Sequence, residues 1–243
     1  MEELNKEMLP KHIAIIMDGN RRWAKSKKLT TLDGHTAGAD NLEKIAIYLN
    51  KIGVKYMTVY AFSTENWKRS KDEIATLMML LRTRLAKMLE NKDFQNIKIR
   101  VIGEKENIPK DVTEGVNKII EKTKNNTGLT LNIAFNYGGR AELVNATKEI
   151  VNLVKEGNLK LEDITEETIS NMLYTAGQPD PDLMIRTSYE LRTSNFLPWQ
   201  LTYTEFYFPD KHWPEFGEED LLEAIKIYQG RNRRFGGRPE EKK

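Results

Sequence analysis

The residues of this 243-residue chain best suited to chemistry stand together between His12 and Ser26. Asp18, Gly19, Asn20, Arg21 and Arg22 follow directly on the apolar run Ile13–Met17. That run is short, continuous and rich in β-branched residues, the pattern of a strand buried on both faces. Asp18-Gly19-Asn20 supplies turn chemistry, and Arg21 to Lys25 restarts as a basic helical segment. A strand, a tight turn and a helix start present free backbone N–H groups, and the helix dipole there favours an anion. Two arginines on a first turn oppose that dipole, so the helix gives no reason for them; a bound phosphate does. Asp18 has the wrong charge for phosphate and the right one for a Mg²⁺ carried by it. Taken alone, the same residues also fit a polar turn with solvated arginines. The stretch matches neither G-x-x-x-x-G-K-[ST] nor G-x-G-x-x-G.

Other predicted strands end in similar side chains. Lys55–Ala61 runs into Phe62-Ser63-Thr64-Glu65-Asn66-Trp67, a polar loop with two large aromatics. Leu129–Phe135 ends in Asn136-Tyr137-Gly138-Gly139-Arg140, and Leu183–Ile185 leads to Arg186-Thr187-Ser188, with Arg192 and Ser194 beyond. Further strands are predicted over Ile97–Ile102 and Glu205–Phe208. Leu29–Gly34 reads as a polar connection and Gly38–Leu49 as a helix closed by Gly53. Ile74, Leu77, Met78, Leu81, Leu85, Met88 and Leu89 recur at helical spacing. Val112–Thr123, Ala141–Glu156, Thr165–Met172 and Leu221–Arg234 complete the predicted helices. Alternating strands and helices predict an α/β fold, a central, mostly parallel β-sheet flanked by helices, with ligands outside the carboxyl ends of the strands. Each strand end alone is a solvated loop; four together point to a phosphate-rich, Mg²⁺-dependent site.

Composition narrows the alternatives. Charged residues are 30% and hydrophobic ones 39%, ordinary for a soluble chain with a sizeable core. A net charge of +2 provides no global field for nucleic acid, so any anion preference is local. Without cysteine there are no disulfides and no thiolate metal sites. No apolar run approaches a membrane span, the first ten residues are too polar for a signal peptide, and the reading is cytoplasmic. With no repeat or linker, 1–243 reads as a single domain, with 1–10 a flexible extension and 238–243 a flexible tail.

The blocks H-I-A-I-I-M-D-G-N-R-R-W-A, Y-A-F-S-T-E-N-W, L-N-I-A-F-N-Y-G-G-R, D-L-M-I-R-T-S, S-N-F-L-P-W-Q and R-R-F-G-G together resemble the cis-prenyltransferases, in family order and spacing from Lys11 to Gly237. Among bacterial members the resemblance is to the undecaprenyl diphosphate synthase type. It implies a homodimeric enzyme of undecaprenyl diphosphate synthase-like fold. Such an enzyme extends an allylic prenyl diphosphate, usually farnesyl diphosphate, with isopentenyl diphosphate units and cis double bonds. It also implies peripheral membrane contact through the lipid product.

The resemblance further implies roles. Asp18 is the catalytic carboxylate that binds Mg²⁺ as the allylic diphosphate ionises. Gly19, Asn20, Arg21, Arg22 and Trp23 hold that diphosphate with His35, and Ser63, Glu65 and Arg69 join them as substrate-binding positions. Asn66 and Trp67 lie between the two substrates, with Asn66 assisting condensation or proton removal. Arg186, Arg192 and Ser194 form the isopentenyl diphosphate site. Glu205 completes the metal site, often across the dimer, and Arg234-Phe235-Gly236 matches a C-terminal R-x-G element. The 74–89 helix with Leu42, Ile45, Ala46 and Leu49 would wall a hydrocarbon tunnel, and small Ala61 would permit a long product; by periodicity alone that stripe is core.

Four positions depart from the family pattern. Thr31 replaces an arginine clamp on the allylic diphosphate, and Tyr189 stands where glycine is usual, where its ring would narrow or cover the isopentenyl pocket. Leu191 replaces a polar residue, and Pro198 interrupts N-F-L-L-W-Q. These departures leave open a paralogue making a short or irregular product, or a silent subunit that binds a partner. Retention of Asp18, Asn66, Arg186, Arg192, Ser194 and Glu205 argues against the silent subunit.

Overall fold

The computed structural model describes residues 4–231, with the Leu89 side chain excepted. In chain order the elements are β1 (His12–Ile16), α1 (Asn20–Ser26), α2 (Thr31–Ile52), β2 (Tyr56–Ser63), α3 (Lys71–Glu90), β3 (Lys98–Ile102) and α4 (Lys110–Thr123). They continue with β4 (Thr130–Tyr137), α5 (Gly139–Lys155), α6 (Glu166–Met172), β5 (Leu183–Arg186), β6 (Glu205–Tyr207) and α7 (Glu218–Gln229). One sheet of order β3-β4-β2-β1-β5-β6 results, and every pairing in it is parallel.

Continuous apolar runs become central strands because both of their faces are covered. All of β1 and β5 and all but the first residue of β4 are buried. The larger core lies on one face, where Ile45 and Leu49 of α2, Leu85 of α3, Ile119 of α4 and Ile225 of α7 meet the sheet. The smaller core gathers Tyr137, Met184, Phe196, Leu197 and Leu201 on the other face. Leu4 and Leu9, in the stretch read as an extension, pack against the larger core.

Several boundaries differ from the sequence reading, among them the end of β4, which runs to Tyr137 rather than Phe135. Thr31 to Gly34 is not a connection but the first turn of α2. Thr30 accepts the Asp33 N–H while the Asp33 carboxylate accepts the Thr30 N–H at 2.9 Å, so a capping box starts the helix early. Strand β2 takes Phe62 and Ser63 from the expected loop because Ser63 pairs with Tyr137 of β4. Helix α7 spans Glu218–Gln229 rather than 221–234. Arg234-Phe235-Gly236 and the 238–243 tail lie outside the described residues.

From β1 the chain builds β2, β4 and β3 to one side and β5 and β6 to the other. The order reverses between β1 and β5, and such a switch point leaves a crevice outside the strand ends. Asp18 follows β1 there, and Arg186 closes β5.

Candidate active site

Asp18 sits where the backbone is tightest. Gly19 has φ +100°, and a Cβ on it would come within 2.1 Å of Ser188 Oγ and 2.7 Å of His212 Nδ1. Only glycine lets the β1–α1 turn fold this closely onto the segment after β5. The turn is then fixed from both sides. Thr187 Oγ1 donates to Asp18 O at 2.7 Å, and Trp213 N donates to it at 2.9 Å.

The Asp18 carboxylate is ringed by donors. Arg186 Nη2 approaches Oδ2 at 2.9 Å; Arg22 Nη2 and the Gly19 N–H reach Oδ1 at 3.0 and 2.7 Å. Burial alone would push this carboxyl up, but the Arg186 and Arg22 guanidiniums outweigh burial and hold it below the usual carboxylate range. Arg186 is itself buried and gives its other terminal nitrogen to Ser194 Oγ at 2.7 Å and to the Arg192 carbonyl. Arg22 reaches Glu190 at 2.8 Å, and Glu190 also pairs with Arg192. The two arginine groups expected to serve separate substrates are thus joined through Asp18 and Glu190.

A second polar centre lies across the cleft. Glu73, in the first turn of α3, takes Arg69 Nη1 at 2.9 Å and Arg21 at 3.5 Å. His35 Nε2 stands 3.7 Å from it, too long for a hydrogen bond. Burial first, then the Arg69 charge, lowers the His35 pKa, so the ring is neutral near pH 7. Asn66 Oδ1 accepts the Ser63 N–H at 3.0 Å and closes the turn after β2.

Asp18, Asn20, His35, Ser63, Glu65, Asn66, Arg69, Arg186 and Ser194 line one cleft. Gly19, Arg21 and Arg22 line its outer part with Asp18 and Arg69. Met17, Asn20, His35, Ala61, Phe62 and Leu77 also line an apolar cavity between α2, α3 and the sheet. Leu42, Leu81, Leu85, Met88, Ile133 and Phe135 form its walls. Of the expected α2 lining residues only Leu42 faces it; Ile45, Ala46 and Leu49 are packed into the core.

Other expected positions fall outside these linings. Trp67 supports from behind, its Nε1 donating to Asn136 Oδ1 at 2.7 Å and its ring edge-on to Phe62. Trp23 is half-buried on α1 and lines neither space. Arg192 is at the rim, its side chain 60% exposed. Glu205 does not join Asp18. It starts β6 opposite Leu183, at the amino end of the sheet, and pairs with Arg231 at 2.6 Å. Tyr189 is corrected too: its ring is 62% exposed and lines neither space, so it does not narrow the pocket. Leu191 is equally exposed, and Thr31 lines a shallow outer groove shared with Arg21 and Arg22.

The sequence reading missed Glu73, Glu190 and Asn195. Ser70-x-x-Glu73 is legible as a helix cap, and Asn195 stands in the S-N-F-L-P-W-Q block, but neither spacing shows which groups they meet.

The residues fit a Mg²⁺ delivered on a diphosphate better than one caged by protein. Among the described residues no cluster of three or more acidic, His or Cys side chains could hold a metal. One ionised carboxylate is enough when phosphate oxygens and waters supply the remaining ligands. Asn20 Oδ1, His35 Nε2 and Arg186 Nε are buried without a hydrogen-bond partner, on residues that also line the cleft.

Comparison with known proteins agrees with this geometry. Residues 16–236 match the prenyltransferase family described as "Putative undecaprenyl diphosphate synthase". The ditrans,polycis-undecaprenyl-diphosphate synthase ((2E,6E)-farnesyl-diphosphate specific) of Micrococcus luteus is 50% identical over 96% of this chain and 94% of its own. An isoprenyl transferase of Bacillus anthracis is 48% identical over 98% and 92%. The crystal structure of lavandulyl diphosphate synthase from Lavandula x intermedia, in complex with dimethylallyl diphosphate, superposes with a TM-score of 0.89 at 38% identity, covering 95% of this chain and 99% of that one. With a charged cleft at the β1/β5 switch point, an apolar cavity behind it and these relatives along its length, the chain belongs to the undecaprenyl diphosphate synthase family of cis-prenyltransferases.

Proposed function

We propose that this enzyme extends an allylic diphosphate, farnesyl diphosphate first, with isopentenyl diphosphate units. It forms cis double bonds and yields a long polyprenyl diphosphate such as undecaprenyl diphosphate, a cell-wall lipid carrier. The observation that carries this reading is continuity. An arginine-rich cleft opens past Ala61 into an apolar cavity, as a molecule with a diphosphate head and a growing hydrocarbon tail requires.

In this reading Arg21, Arg22 and the amides after Gly19 hold the primer diphosphate, while Arg186, Arg192 and Ser194 hold isopentenyl diphosphate. The allylic C–O bond breaks with its electron pair leaving on diphosphate. The isopentenyl double bond attacks the allylic carbon, and a proton is lost to form the new double bond. Asn66, on the turn between the two groups, assists the condensation or the proton removal. Asp18 would hold the Mg²⁺, which when bound offsets the charge developing on the leaving group. Arg186 keeps Asp18 ionised for that task.

The working form is a homodimer, cytoplasmic, touching membrane only through its lipid product. No helix among the described residues is long and apolar enough to cross a membrane. Likeness to the lavender enzyme favours a second reading, a short or irregular product from dimethylallyl diphosphate. Mass spectrometry of products from farnesyl or dimethylallyl diphosphate with isopentenyl diphosphate and Mg²⁺ separates the two. Long cis-polyprenyl diphosphates from farnesyl diphosphate are expected; short or branched products alone would overturn the elongation reading.

A further inference from the structure

The loop that carries Ser194 is rich in left-handed backbone. Ser188, Tyr189, Ser194, Asn195 and Leu197 have φ of +72°, +52°, +50°, +64° and +47°, and none is glycine. Such residues persist only where their surroundings over-determine them. Much of the fixing passes through Asn195. Its carbonyl accepts the Gly139 N–H at 2.8 Å, and its Oδ1 accepts the Arg140 N–H at 2.9 Å, at the start of α5. Its Nδ2 donates to Glu65 Oε1 at 3.0 Å, on the turn after β2. The loop rests directly on backbone here: a Cβ on Gly139 would fall 2.9 Å from Asn195 O and 2.0 Å from Pro198 Cδ. On one side of Asn195, Phe196 is fully buried and stacks on Tyr60 at 4.6 Å. On the other, Ser194 takes Arg186.

We propose that Asn195 is a positioning residue for condensation: its amide sets the separation between Glu65 and Ser194, so that the elements holding the two substrates stay in one register. This rests on the two-substrate reading above. Asn195 borders the cleft, but its Oδ1 and Nδ2 are each held by a protein partner, on Arg140 and Glu65, so its positioning role runs through those neighbours. Only a primary amide satisfies them. The Arg140 N–H needs an acceptor, whereas Glu65 needs a donor; burial raises the Glu65 pKa, but hydrogen bonds including that from Asn195 outweigh it and keep it ionised. Aspartate would satisfy Arg140 and set a carboxylate against a carboxylate.

The experiment is a cycle of Asn195→Asp, Glu65→Gln and the double variant. It reads kcat, KM for isopentenyl diphosphate, primer Kd and thermal melting. Asn195→Asp is expected to lower kcat at least tenfold with primer Kd and melting temperature little changed. The double variant should lose less than the two single losses multiplied together, because a glutamine at 65 donates to an aspartate at 195. If Asn195→Asp does not fold, Asn195→Ala with Glu65→Ala serves, and the double should be no worse than the worse single. Additive losses in an active parent overturn the proposal alone. A parent without turnover overturns the elongation reading and this proposal with it.

Discussion

Arg186 Nη2 lies 2.9 Å from Asp18 Oδ2, across the point where the sheet reverses its strand order. Each belongs to a different strand end, 168 residues apart in sequence. The pair makes Asp18 the junction of the cleft, since Arg22 reaches its other oxygen. Asp18→Asn preserves the shape and removes the charge. It is expected to lower kcat by ~10²-fold or more, the scale of losing one transition-state contact in a shielded site, with circular dichroism unchanged. Single-turnover rates near those of the parent would show that the charge does not serve diphosphate departure.

Arg22 and Arg192 share Glu190 yet face different substrates in the proposed division. Arg192→Ala should raise KM for isopentenyl diphosphate about tenfold, the loss of one charge-assisted contact. Arg22→Ala should instead weaken primer binding. Steady-state kinetics with each substrate varied tests the division, and equal effects on both substrates would refute it.

Ala61 lines both the charged cleft and the apolar cavity. Ala61→Leu adds three carbons at that passage, and little can move because Phe62 beside it is buried. Product chains should shorten while the first condensation persists. Chromatographic sizing of the products decides it; an unchanged length distribution would mean the tail leaves by another route.

Tyr189 holds φ +52° with its ring exposed, and Thr31 lies outside the cleft. Tyr189→Gly is expected to relieve left-handed strain of roughly 1–2 kcal/mol, partly offset by glycine's freedom in the unfolded chain. KM for isopentenyl diphosphate should stay within about twofold. Thr31→Arg should tighten primer binding, since the groove it lines also contains Arg21 and Arg22. Melting curves and primer Kd values test these.

His12 is buried between Pro179 O at 2.7 Å from Nδ1 and Thr58 Oγ1 at 2.8 Å from Nε2. The neutral ring satisfies both, donating from Nδ1 and accepting at Nε2. Burial lowers its pKa from 6.5 to about 4, against the smaller raising effects of Pro179 and Asp182. Between those values the unfolded chain binds a proton that the folded chain does not, so stability falls as pH falls. At 1.36 kcal/mol per unit the loss is on the order of 3 kcal/mol by pH 4. His12→Gln should flatten the dependence of unfolding free energy on pH over this window; an unchanged slope would refute the assignment.

The sequence by itself determined the elements and most of the residues that line the cleft. Apolar runs such as Ile13–Met17 can only be satisfied with both faces covered, and turn residues after them mark carboxyl ends, so a parallel α/β sheet with a charged edge is legible. The boundaries that shifted did so for local or pairing reasons: a capping box at Thr30 and Asp33, and the partnership of Ser63 with Tyr137. Tertiary structure alone decided which side chains meet. Strand order puts Arg186 on Asp18 and sends Glu205 to the amino end of the sheet. It also brings Glu73 to Arg21 and Asn195 to Glu65. Such meetings depend on strand order and loop path, which link residues far apart in the chain, and neither periodicity nor local spacing encodes them.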